Sequence, residues 1–118
     1  MSLRFDDPDL PKRLSELTDE ELENAPFGII RMKPDGRVTL YNRAESALSG
    51  IGEEQALEHN LFRDVAPCTN NFMVAGRYEE EELDAVVEYV LTFAMEPREV
   101  TLRLIRRGDL LFMLVKPN

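Results

Sequence analysis

Cysteine and histidine each occur once in this 118-residue sequence. A single thiol excludes an intramolecular disulfide and a cysteine-rich metal site. A zinc site would have to draw most of its ligands from carboxylates, an uncommon choice. Cations are also short: 14 Lys and Arg face 23 Asp and Glu, for a formal charge of −9. Such a chain lacks the clustered positive charge that displaces counterions from a nucleic-acid backbone. It is equally unsuited to an anionic membrane surface. No apolar run approaches the roughly 20 residues of a membrane helix. The first residues lack the cationic-then-apolar layout of a secretory leader, so a cytoplasmic protein is expected. There is no Ser, His and Asp grouping and no glycine-rich phosphate loop, which leaves hydrolase and nucleotide-binding readings without support. What remains is an acidic single-domain globule, 43% hydrophobic and 31% charged, with one thiol to explain.

The first dozen residues carry Pro8 and Pro11 among acids and read as an irregular arm. Leu14, Leu17 and Leu22 recur at near-helical spacing and predict a helix over Leu14 to Asn24, ended by Pro26. Phe27 to Met32 and Arg37 to Tyr41 read as two strands of a hairpin, joined by the turn Lys33-Pro34-Asp35-Gly36. Asn42 and Glu45 have the spacing of a capping box, opening a short helix that Gly50 and Gly52 close. Glu53 to Leu57 predicts one more helical turn, and Phe72 to Arg77 another short helical piece. Val87, Tyr89, Leu91, Phe93 and Met95 then fall on one face at period two. Val100, Leu102 and Leu104 alternate with Thr101 and Arg103 in the next strand. Leu110 to Val115 is apolar on both parities, which suits a central strand covered on both faces. Two strands, short helices and three strands predict an α+β domain with a five-stranded antiparallel sheet, helices over one face and an N-terminal helical arm. This order resembles the layout of PAS sensor domains. The expected division is an arm over residues 1–25 and a PAS core over residues 26–118.

Cys68 follows Val65-Ala66-Pro67 and precedes Thr69-Asn70-Asn71, on a structured loop of the kind that carries functional groups. A free cysteine is most often a small buried hydrophobe, and that reading stands beside a functional one. Tyr41 and Glu45 lie four apart across a strand-to-helix boundary. Ordinarily the first packs and the second caps, yet both can offer an O–H to a ligand oxygen. Glu does so only when burial keeps it protonated. Ser49, four beyond Glu45, can bond the Tyr41 hydroxyl. Glu79-Glu80-Glu81-Glu82 reads as a solvated acidic run, and His59 as a surface residue.

Taken together, these residues resemble the photoactive yellow proteins, bacterial blue-light receptors of PAS fold. The segment Phe62-Arg63-Asp64-Val65-Ala66-Pro67-Cys68-Thr69 is similar to that family's chromophore-attachment loop almost letter for letter. Tyr41-Asn42, Ala44-Glu45, Gly50, Phe27-Gly28 and Asp35-Gly36 also agree, as does the stretch from Tyr89 through Met95 and Pro97.

The resemblance implies p-coumaric (4-hydroxycinnamic) acid held as a thioester on Cys68. Its phenolate oxygen would lie between Tyr41 and a protonated Glu45, with Ser49 supporting the tyrosine. The implied pocket wall is Ile30, Leu61, Val65, Ala66, Pro67, Thr69, Leu91, Phe93 and Met95. It further implies trans–cis isomerisation in light, proton transfer from Glu45, and partial unfolding in which the segment Leu14 to Asn24 detaches. No substrate would be turned over, so the chain would not be an enzyme. The output would pass to a downstream signalling protein, from a monomer or a weak PAS-type dimer. Departures are also plain. Ile51 stands where the family has an arginine, Phe93 replaces a tyrosine, and the segment between Cys68 and Tyr89 is shorter. The alternative reading is a diverged PAS-type sensing or interaction module that lacks the pigment.

Overall fold

The computed structural model describes residues 3–92 and 97–118. Within it, α1 (Leu10–Leu14) and α2 (Asp19–Glu23) precede the hairpin β1 (Gly28–Met32) and β2 (Val38–Tyr41). Helices α3 (Arg43–Ser49) and α4 (Glu53–Ala56) follow, then a π-helical turn at Leu61–Val65 and 3-10 turns at Pro67–Thr69 and Ala75–Glu79. Strands β3 (Glu82–Leu91), β4 (Arg98–Arg107) and β5 (Leu110–Pro117) complete one antiparallel sheet in the order β2-β1-β5-β4-β3.

The apolar last strand therefore takes the centre, and both its faces are covered. Leu111, Met113 and Val115 belong to a buried cluster with Ile30, Tyr41, Leu61, Val65 and Leu102. Phe112 and Leu114 belong to a second cluster with Leu10, Leu14, Leu22 and Phe27 from the arm. Register across the inner face aligns Tyr41 with Ile30, Ile30 with Met113, and Met113 with Leu104.

Several local expectations are corrected. The helix expected over Leu14 to Asn24 shrinks to α2, and the end of the stretch expected to be irregular instead enters α1, with Pro11 in its first turn where a missing N–H costs nothing. Thr18 has extended backbone and opens α2 with a capping box: its hydroxyl accepts from Glu21 N, while its own N–H donates to Glu21 Oε1 at 3.0 Å. A second cap of this strength interrupts the leucine spacing that suggested one helix. The first strand starts at Gly28 and not at Phe27. The third begins at Glu82, five residues before Val87, because the end of the acidic run pairs with cations on β4, Glu82 opposite Arg107. The turn expected over Phe72 to Arg77 is displaced to Ala75–Glu79, since the Asn71 side chain first accepts from Met73 N and Val74 N.

Arg103 reverses the expectation for its polar parity, for it is only 4% exposed. It forms a fork on Asp84, 2.9 Å at each nitrogen, and donates to the Phe5 and Asp7 carbonyls at 2.9 and 2.7 Å. The arm covers what would otherwise be a solvent-facing position. Phe93 and Met95 lie outside the described residues. No helix among the described residues is long and apolar enough to cross a membrane.

Candidate functional site

Asn42 sets the geometry at the junction of β2 and α3. Its side-chain oxygen accepts from Glu45 N and from Ile29 N, and its amide donates to the Leu22 and Phe27 carbonyls. The cap is therefore half of the expected box. The Glu45 side chain does not return to the Asn42 backbone but turns inward, where the residue is fully buried. Its carboxyl lies against β1, with Oε1 beside the Cα of Gly28. Gly50, at φ 78°, then ends α3 in a left-handed conformation that a side chain would disfavour.

Tyr41 is 1% exposed, and its hydroxyl lies 2.7 Å from Ser49 Oγ. Ser49 Oγ also accepts from Ile51 N. Neither Glu45 oxygen has a hydrogen-bond partner among the described residues. Burial pushes the Glu45 carboxyl up to about 8, and the nearby Tyr41 hydroxyl acts in the lowering direction without cancelling it. The Tyr41 phenol is pushed far up, first by burial and then by the Glu45 charge. At neutral pH the junction thus holds three O–H groups, those of Tyr41, Ser49 and Glu45, the last an acid with no hydrogen-bond partner among the described residues.

The thiol lies on the segment that follows the π-helical turn. Asn60 opens that segment by accepting from Phe62 N and Arg63 N, and its amide donates to the Asp35 carbonyl. The wide turn closes with Ala66 N on the Leu61 carbonyl at 2.7 Å. Thr69 Oγ1 donates back to the Ala66 carbonyl. Cys68 is half-buried and packs against the cluster that contains Tyr41. Its carbonyl accepts from the Tyr89 hydroxyl and from the Asn71 amide, which also bonds Tyr89 Oη at 2.7 Å.

Of the expected wall, Ile30, Leu61, Val65, Ala66 and Leu91 are buried in the same cluster as Tyr41, and Thr69 is fully buried. Pro67 is exposed, because its ring starts a 3-10 turn on the outside of the loop. Ile51 is half-buried and packs on that cluster with an aliphatic surface. His59 and the acids Glu79 to Glu82 are exposed. Sequence reasoning missed the Asn71 and Tyr89 clamp on the Cys68 carbonyl. An Asn three residues after the cysteine, at a turn, was the only local sign of it.

A five-stranded antiparallel sheet in this order, with short helices between its second and third strands, is the ground plan of a PAS sensory domain. The PAS fold family model matches residues 16–109. The photoactive yellow protein of Rhodothalassium salexigens is 30% identical, over 97% of this chain and 96% of that protein. That of Halochromatium salexigens is 32% identical, over 83% and 82%. The crystal structure of the photoactive yellow protein domain from the sensor histidine kinase Ppr of Rhodospirillum centenum superposes with a TM-score of 0.81. It is 31% identical, covering 90% of this chain and 98% of that one. The chain belongs to the photoactive yellow protein family of the PAS fold.

Proposed function

We propose that this chain is a blue-light photoreceptor that carries p-coumaric acid as a thioester on Cys68. The observation that carries the reading is Glu45, fully buried with both oxygens unpartnered and protonated below about pH 8. An acid in that condition is a donor in need of an acceptor, and a phenolate oxygen fits it. Cys68 Sγ, half-buried on its loop, would hold the acyl group, and Tyr41 and Glu45 would donate to the phenolate. When bound, the group supplies a double bond that light converts from trans to cis.

The protein's own part is electrostatic. Ser49 accepts or donates at the Tyr41 hydroxyl and so fixes its direction. Leu61, Val65, Ala66 and Leu91 form the buried cluster around Tyr41, and the Glu45 carboxyl is shut away from water beside Gly28. Once Glu45 gives up its proton at Oε, the fold holds a carboxylate with no partner. That costs several kcal/mol, a large part of the ~5–15 kcal/mol that stabilises a domain. The arm, which Asn42 joins to the Glu45 cap through the Leu22 carbonyl, is the element expected to loosen. Reversal in the dark is a relaxation, with no substrate consumed.

Activated p-coumarate added to the apoprotein should give one covalent adduct and a yellow product, and Cys68→Ala should give neither. In the adduct, Glu45→Gln should move the absorption band to longer wavelength, because a weaker donor stabilises the phenolate less. A thiol that acylates with other reagents but never yields a coloured adduct sinks the proposal and leaves the pigment-free sensing module.

A further inference from the structure

We propose that Gly28 is the positioning residue for Glu45: the side chain missing from β1 leaves the niche in which the carboxyl lies. This rests on the reading of Glu45 as the donor at the pigment site. The geometry is specific. A Cβ at Gly28 would stand 2.2 Å from Glu45 Oε1 and 3.3 Å from Glu45 Cβ, and 3.2 Å from Val115 Cβ on the neighbouring strand. The first distance is impossible for real atoms, so one group must move.

Which one moves follows from the surroundings. Gly28 is paired with Val115 on the central strand, and Val115 is held in turn by Leu102 on β4. Helix α3 is pinned at its first turn by Asn42, which ties Glu45 N to Ile29 N on β1. The carboxyl is the far end of a flexible side chain with no hydrogen bond to hold it among the described residues. A methyl at Gly28 therefore leaves the fold in place and drives the carboxyl out of its niche. Among the described residues, Tyr41 is the one titratable side chain that acts on Glu45, and no cation does. Position against β1 is thus what sets both the direction of the Glu45 O–H and its dryness. Glycine serves here for its lack of volume, since its backbone is that of an ordinary strand.

The test is Gly28→Ala in a chain with Glu45 labelled for carbon NMR, and in the same chain acylated with p-coumarate. In the unacylated variant the Glu45 titration midpoint should fall from about 8, because the displaced carboxyl leaves its packed niche. In the acylated variant the band should shift toward longer wavelength, as in Glu45→Gln. Repeating Gly28→Ala in a Glu45→Ala background should abolish the spectral shift, since the overlapping oxygen is gone. If Gly28→Ala does not fold, the Glu45→Ala double variant should fold. A midpoint and band both unchanged, or a double variant as unfolded as the single, overturns the proposal. Failure to acylate would count against the photoreceptor reading alone, because the titration of the unacylated chain still reports on Gly28.

Discussion

A glutamic acid kept neutral by burial makes stability depend on pH in the opposite sense to a salt-bridged carboxylate. The native Glu45 value lies near 8 against an ordinary 4.5, so between these the folded state binds more protons than the unfolded one. Its contribution is complete below the ordinary value and is lost as pH rises through about 8. At about 1.4 kcal/mol per unit, the loss amounts to several kcal/mol. Asp7, Asp19 and Glu21 have lowered values, so they titrate below this window. Urea unfolding on either side of the window should show the wild type weakening as pH rises, and Glu45→Gln should flatten the curve. An equal slope in both proteins would remove Glu45 as the cause. The triad of Tyr41, Glu45 and Ser49 is legible in the sequence because its members are close along one strand and one helix. The Asn71 and Tyr89 clamp is not, since those residues are 18 positions apart and meet only through the fold of β3.

Among the elements, the strands were readable from period-two alternation, and even the central place of β5 follows from its two apolar parities. The arm was not. Its leucines keep helical spacing through a break that one capping threonine imposes, and its covering of the sheet turns Arg103 from a surface residue into a buried one. Alternation reports which face a side chain takes and says nothing of what lies over that face. Arg103 predicts its own test. Arg103→Leu removes the fork to Asp84 and two bonds to arm carbonyls. Asp84 stays partly solvated, with 42% of its side chain exposed, so no charge is stranded and the loss should be about 2 kcal/mol. Limited proteolysis should then cut the arm sooner than the sheet. Cleavage at the wild-type rate would mean that the apolar contacts of Leu10, Leu14 and Leu22 hold the arm unaided.

For the whole molecule, a light-driven loss of the Glu45 proton should be felt first where the chain is joined to that junction by few bonds. Hydrogen exchange on the acylated protein under illumination should accelerate in α1 and α2 while β5 stays protected. Uniform acceleration would indicate global unfolding and would contradict a localised release. The sheet itself gives this contrast a mechanical form. Along β5, Leu111, Met113 and Val115 face the cluster that contains Tyr41, while Phe112 and Leu114 face the cluster beneath the arm. One strand is thus the party wall between two rooms, and successive side chains open into alternate rooms. Neither room can be refurnished alone: a bulkier or smaller residue on one side bows the shared wall into the other.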